Sequence, residues 1–157
     1  MLIFNRSKNC SVDFIGEELV ARASFLDTHH EMNLEITVNP KDMIVKKVEA
    51  TIIRAPYKPC HDVAERIKVL EGIKIGRGMT KNIWERFGGR FGCVHLSDLF
   101  IDGTKALITA RYSWLGLTSE DFDKTAQEVI EQLKGTCYAY TQESVLNNIN
   151  AIKKELS

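Results

Sequence analysis

Met32-Asn33-Leu34-Glu35-Ile36-Thr37-Val38 alternates apolar and polar side chains with a period of two, and Asn39-Pro40-Lys41-Asp42 follows at once with turn chemistry. Strict alternation puts every second side chain on one face, the signature of a strand half-buried in a sheet. Beyond the turn, Met43 to Arg54 is a second β-branched run. Upstream, Val12 to Phe14 and Glu18 to Leu26 are strand-compatible, with Gly16 between them. Connections this short join antiparallel neighbours, so the N-terminal half predicts a meander of three or four strands. Pro56 and Pro59 end it.

The C-terminal half changes period. His61 to Glu71 places Val63, Ile67 and Leu70 at helical spacing, and Gly72 closes it. Thr80 to Phe87 carries Ile83, Trp84 and Phe87, with Gly88 as its stop. From Val94 to about Leu117, apolar residues recur near every 3.6 positions, which predicts a long amphipathic helix packed on the sheet. Asp102-Gly103 is its candidate point of interruption. Thr118-Ser119-Glu120-Asp121 resembles a capping box for a helix running to Gly135. Cys137 to Tyr140 reads as an extended link, and Thr141 to Leu156 as a last helix with Val145, Ile149 and Ile152 inward. The expected architecture is α+β, an antiparallel three- to four-stranded sheet packed by C-terminal helices, as a single domain over residues 1–157.

Composition narrows the partners. The chain has 157 residues, and its 21 Lys and Arg balance its 21 Asp and Glu. No global basic field exists to draw a polyanion, so nucleic acid is not expected as the partner. No apolar run approaches the roughly 18 residues that a membrane span needs. The N-terminal segment lacks the basic-then-apolar order of a secretory signal, and the expected location is cytoplasmic. The four cysteines, at 10, 60, 93 and 137, include no C-x-x-C pair. Reduced thiols are therefore expected.

Two cysteines nevertheless sit where sites are built. Gly88-Gly89-Arg90-Phe91-Gly92-Cys93-Val94-His95 is a glycine-rich bend that delivers Cys93 and His95 to a helix start. Two residues apart, they would point about 200° apart in an established helix, but to one side in an extended segment. A shared ligand therefore requires Cys93 to precede the first turn. Cys60-His61 stands at a second boundary, between strand and helix. Asp27-Thr28-His29-His30-Glu31 lies between two strands, and of its histidines His30 is the one bordering a regular element. A Cys/His set of this kind suits zinc or iron. The spacing is long-range, and the same residues also read as small core or capping positions. Gly76 to Lys81, a glycine-rich loop opening a helix, is an alternative site for an anion or nucleotide. It lacks the Lys-Ser/Thr ending of a P-loop.

His30-Glu31-Met32, Pro56, Cys60, Gly72 to Gly78 and Gly88 to Leu96, in that order, resemble the bacterial family known as domain of unknown function 2889. The most specific part of the likeness is Gly92-Cys93-Val94-His95-Leu96. The family has no assigned activity, so the resemblance implies kinship and selects positions: Cys60, Cys93, His95, Cys137 and His30. The chain departs from the family pattern at Val94, Asp98 and Tyr138, the last standing where the family has a late histidine.

The leading expectation is thus a cytoplasmic protein with a transition-metal site, zinc or iron, built from Cys60, Cys93 and His95 with His30 or Cys137. Such a site serves either catalysis or accessory handling of a metal or cofactor. The alternative is a non-enzymatic binding or assembly module. In it these residues are structural and the amphipathic helices pair with a second copy or a protein partner.

Overall fold

In a computed structural model, which describes residues 1–146, the N-terminal half is a four-stranded antiparallel sheet. Its strands are β1 (Arg6–Ile15), β2 (Glu18–Asp27), β3 (Glu31–Val38) and β4 (Val45–Arg54), in the order β1-β2-β3-β4. The period-two reading of β2 and β3 carries into burial. Ala21, Ala23 and Phe25 of β2 and Met32, Leu34, Ile36 and Val38 of β3 are all at most 4% exposed. Their neighbours Arg22, Ser24 and Asn33 face solvent. β1 is longer than the expected Val12 to Phe14. Most of its side chains are exposed, so it carries no apolar alternation, and its pairing with β2 runs through the main chain from Arg6↔Asp27 to Ile15↔Glu18.

Helices follow: α1 (Pro59–Arg66), α2 (Met79–Phe87), α3 (Val94–Thr118), α4 (Phe122–Leu133) and α5 (Glu143–Leu146). α1 begins with Pro59 inside its first turn, where a missing N–H costs nothing. It then tightens into a 3₁₀ turn over Ile67–Leu70, whose Ile67 and Leu70 are fully buried. α2 buries Met79, Ile83 and Phe87, spaced four apart on one face. Trp84 falls off that row and is 37% exposed.

α3 is unbroken. Gly103 does not interrupt it. A Cβ there would press on Ile36 Cδ1 at 2.8 Å, so the glycine lets the helix backbone lie close against β3. The first half of α3 is also less one-sided than its sequence suggests. Leu96, Ser97, Leu99, Phe100, Ile101, Thr104 and Leu107 are all buried, and the Ser97 hydroxyl donates to the Phe87 carbonyl at 3.2 Å. Its charged side chains Asp98, Asp102 and Lys105, spaced at i, i+4 and i+7, keep to the remaining, partly exposed face.

The chain divides into two compact units, residues 1–111 and 112–157. In the second, Asp121 caps α4 by accepting from the Lys124 N–H at 3.1 Å, and no residue of α4 is buried. Cys137 to Tyr140 is not extended. Gly135 N–H donates to Tyr140 O, the Thr136 and Thr141 hydroxyls donate to Leu133 O and Tyr138 O, and the segment folds into turns and a 3₁₀ helix over Ala139–Thr141. Short hydroxyl side chains compete with extended backbone in this way. The expected last helix starts at α5; Ile149 and Ile152 lie outside the described residues. No helix among the described residues is long and apolar enough to cross a membrane.

Candidate functional site

The site starts with a buried carboxylate. Asp27 ends β2 on the inward face and is 6% exposed. One carboxylate oxygen accepts from the His29 N–H at 2.8 Å, the His30 N–H at 2.7 Å and the His30 ring Nδ1 at 3.1 Å. The other accepts from Arg6 Nη2 at 3.0 Å. Arg54 clamps the same turn from β4, donating to Thr28 O at 2.7 Å and Asp27 O at 2.9 Å. Burial by itself would raise the Asp27 pKa. The backbone N–H of His29, the Arg6 guanidinium, and the backbone and ring N–H of His30 outweigh it and hold the carboxyl far below its ordinary range. Asp27 is therefore an anion at neutral pH.

That anion fixes His30. Because its partner is an ionised acceptor, Nδ1 carries a proton, which leaves Nε2 as the ring nitrogen directed away from Asp27. Its side chain is 15% exposed. His95, from the first turn of α3, lies against it: the ring centroids are 4.1 Å apart at 44°. Phe25 backs both rings, its centroid 5.2 Å from that of His95 and 6.4 Å from that of His30. The pKa of His95 is pushed below that of a free imidazole, first by burial and then by the positive charges of His30 and Arg6. Asp27 and Asp98 oppose the shift. His95 thus favours its neutral, lone-pair-bearing form in a partly desolvated setting.

The local sequence explains how His95 reaches this place. Cys93 precedes α3 and its carbonyl accepts from the Ser97 N–H at 2.9 Å, the position the sequence required of it. Its Sγ is 4.0 Å from His95 Nδ1. Gly92, just before, passes so close to Phe87 that a Cβ would run into the Phe87 carbonyl oxygen and ring. The bend is therefore packed tightly against the end of α2, and this sets where α3 begins.

Asp27, His30 and His95 each present one ligand atom, and these atoms lie within 4.8 Å of one another. Of the residues selected from the sequence, the structure brings together His30 and His95, with Cys93 beside His95. Cys60 sits in the first turn of α1, partly buried, and Cys137 is exposed in the C-terminal unit. Neither belongs to a donor group of three among the described residues. All four cysteines are free thiols. Asp27 was legible only as one of several polar residues in a turn. The signal that singles it out is an aspartate two and three residues before a His-His pair, the spacing at which a side chain caps the N–H groups of its own turn.

The sequence was compared with known proteins. A family model described as a protein of unknown function (DUF2889) matches residues 15–109, a span that contains Asp27, His30, Cys60, Cys93 and His95. No curated protein and no solved structure matches.

Proposed function

The chain belongs to that family, and from this premise we propose that it is a cytoplasmic protein that binds a transition metal, zinc or iron, between His30 and His95. One observation carries the reading: two imidazoles in ring contact at 4.1 Å, one of them oriented by a buried carboxylate. A histidine whose Nδ1 is held by a carboxylate has its Nε2 aimed and made more basic, the usual support of a metal-ligating histidine. Asp27 already accepts four N–H groups and acts best as that support, since ligating a metal would strip it of partners. The Cys93 thiol stands next to His95 as a further donor, and two imidazoles with a thiolate suit zinc. Exchange of the thiolate for a carboxylate oxygen would favour iron. A metal bound there would supply Lewis acidity and an open coordination position. Around it Arg6, 38% exposed at its side chain, offers a positive charge to an anionic ligand.

The test is metal content by mass spectrometry after purification without affinity-tag nickel. About one zinc or iron per chain is expected, falling at least tenfold in His30→Ala and in His95→Ala, and less in Cys93→Ala. Substoichiometric metal that is unchanged in the double histidine variant overturns the reading.

A second reading has its own support. No residue of α4 is buried, although Phe122, Val129, Ile130 and Leu133 repeat at helical spacing. A second copy of the chain laid on that stripe would make the protein an assembly module. Sedimentation would show a dimer that dissociates in Val129→Asp. A monomer at all concentrations would exclude it.

A further inference from the structure

The segment from the Ile67–Leu70 3₁₀ helix through α2 is rich in cations, three of which have no ion pair among the described residues. Residues 72–90 hold five cations (Lys74, Arg77, Lys81, Arg86 and Arg90) and one acid, Glu85, in a chain whose charges balance as a whole. Lys81 pairs with Glu85 at 3.7 Å on the surface of α2. Lys74, Arg77 and Arg86 have no ion pair among the described residues. All three line one concavity of about 290 Å³, together with Asn82.

The convergence is built by the backbone. Ile73 O accepts from the Val45 N–H at 3.0 Å, and the Ile75 N–H donates to Met43 O at 2.8 Å. This adds residues 73–75 as a short strip antiparallel to Ile44 at the start of β4. With Ile73 and Ile75 each 4% exposed, alternation turns Lys74 outward. Gly76 to Gly78 then reverses the chain, presenting Arg77. On α2, Asn82 and Arg86 are four residues apart and share a face. The Met79 N–H is taken by Gly76 O at 3.1 Å and the Asn82 N–H by Gly78 O at 3.3 Å. The charge of the hollow is supplied by the side chains of Lys74, Arg77 and Arg86.

We infer that this concavity binds a multiply charged oxyanion, a phosphate or polycarboxylate group of a small molecule, between Lys74, Arg77 and Arg86. Two guanidinium forks and an ammonium lining one hollow match such a group in charge, and a cluster of cations without ion pairs is the arrangement an anion relieves.

Calorimetric titration at constant ionic strength, with pyrophosphate and citrate as probes, tests this. Saturable binding is expected for at least one, weakened tenfold or more in Arg77→Gln/Arg86→Gln and unchanged in the charge-matched Lys58→Gln/Lys105→Gln. Tighter binding of pyrophosphate identifies a phosphate occupant, and tighter binding of citrate a carboxylate one. His30→Ala/His95→Ala should bind as the parent does, which separates this site from the metal reading. No saturable heat with either probe, or equal affinity in the two arginine-to-glutamine and lysine-to-glutamine pairs, overturns the inference. Circular dichroism confirms that each variant is folded.

Discussion

Two glycine-rich segments of this chain look alike in composition and differ in physics. Gly88 and Gly92 are glycine because the backbone has no room, a side chain at Gly92 colliding with the main chain of Phe87, whereas Gly89 between them is open and has φ +53°. Gly72 to Gly78 has room everywhere, with nothing within 4 Å of a Cβ at Gly72, Gly76 or Gly78, and needs glycine for its dihedrals, φ being +81° at Gly78. The first segment is a packing device that sets where Cys93 and His95 stand. The second is a reversal that turns charged side chains toward one hollow. Counting glycines cannot tell these apart. Only the neighbours of each residue can.

Substitution would break the comparison most at its packed end. Gly92→Ala should cost about 3 kcal/mol in denaturant unfolding, because the obstructing atom is a carbonyl of the backbone and cannot step aside. The variant should also lose metal in step with His95→Ala, since its helix start is displaced. A variant as stable as the parent would show that the bend relaxes freely.

What the bend delivers depends on the carboxylate opposite it, so Asp27→Asn sharpens the comparison from the other side. Loss of an ionised acceptor with four N–H partners should cost on the order of 2 kcal/mol at neutral pH. Its sign with pH is definite. The folded carboxyl titrates below its unfolded value, so its contribution is complete above the ordinary aspartate pKa of about 4 and is lost as pH falls from there. The parent should therefore lose stability steeply below about pH 4, and Asp27→Asn should lose less over the same interval. Parallel pH profiles for the two proteins would remove Asp27 from the account.

At the roomy end the effects shrink. Gly78→Ala should cost about 1 kcal/mol, the penalty of a left-handed backbone for a residue with a Cβ. Gly76→Ala meets neither a neighbour nor a positive φ and should change stability by less than about 0.5 kcal/mol. Equal melting shifts for Gly92→Ala and Gly76→Ala would erase the distinction between the two segments.

The fold was legible where a segment's period matched its burial. β2, β3 and the start of α3 read correctly because alternate, or every third and fourth, side chains enter one core. β1 was read short because an edge strand with mostly exposed side chains carries no period. Half of the site was legible too. Cys93 and His95 stand out at their bend, and His30 at the start of its strand.

By itself, the sequence determined the element types, the meander, the helix start that follows Cys93 and the kind of donors available, since these follow from periodicity, turn chemistry and residue identity. The tertiary structure alone decided which donors meet. His30 and His95 come from opposite ends of the family match and face each other only because α3 lies across the sheet at Gly103. The carboxylate that orients His30 became visible only once β2 had carried Asp27 to the buried face, where an ionised group must have its hydrogen bonds satisfied. Cys60, close to Cys93 in residue type and in kind of position, belongs to no donor group of three among the described residues, a difference no local pattern records.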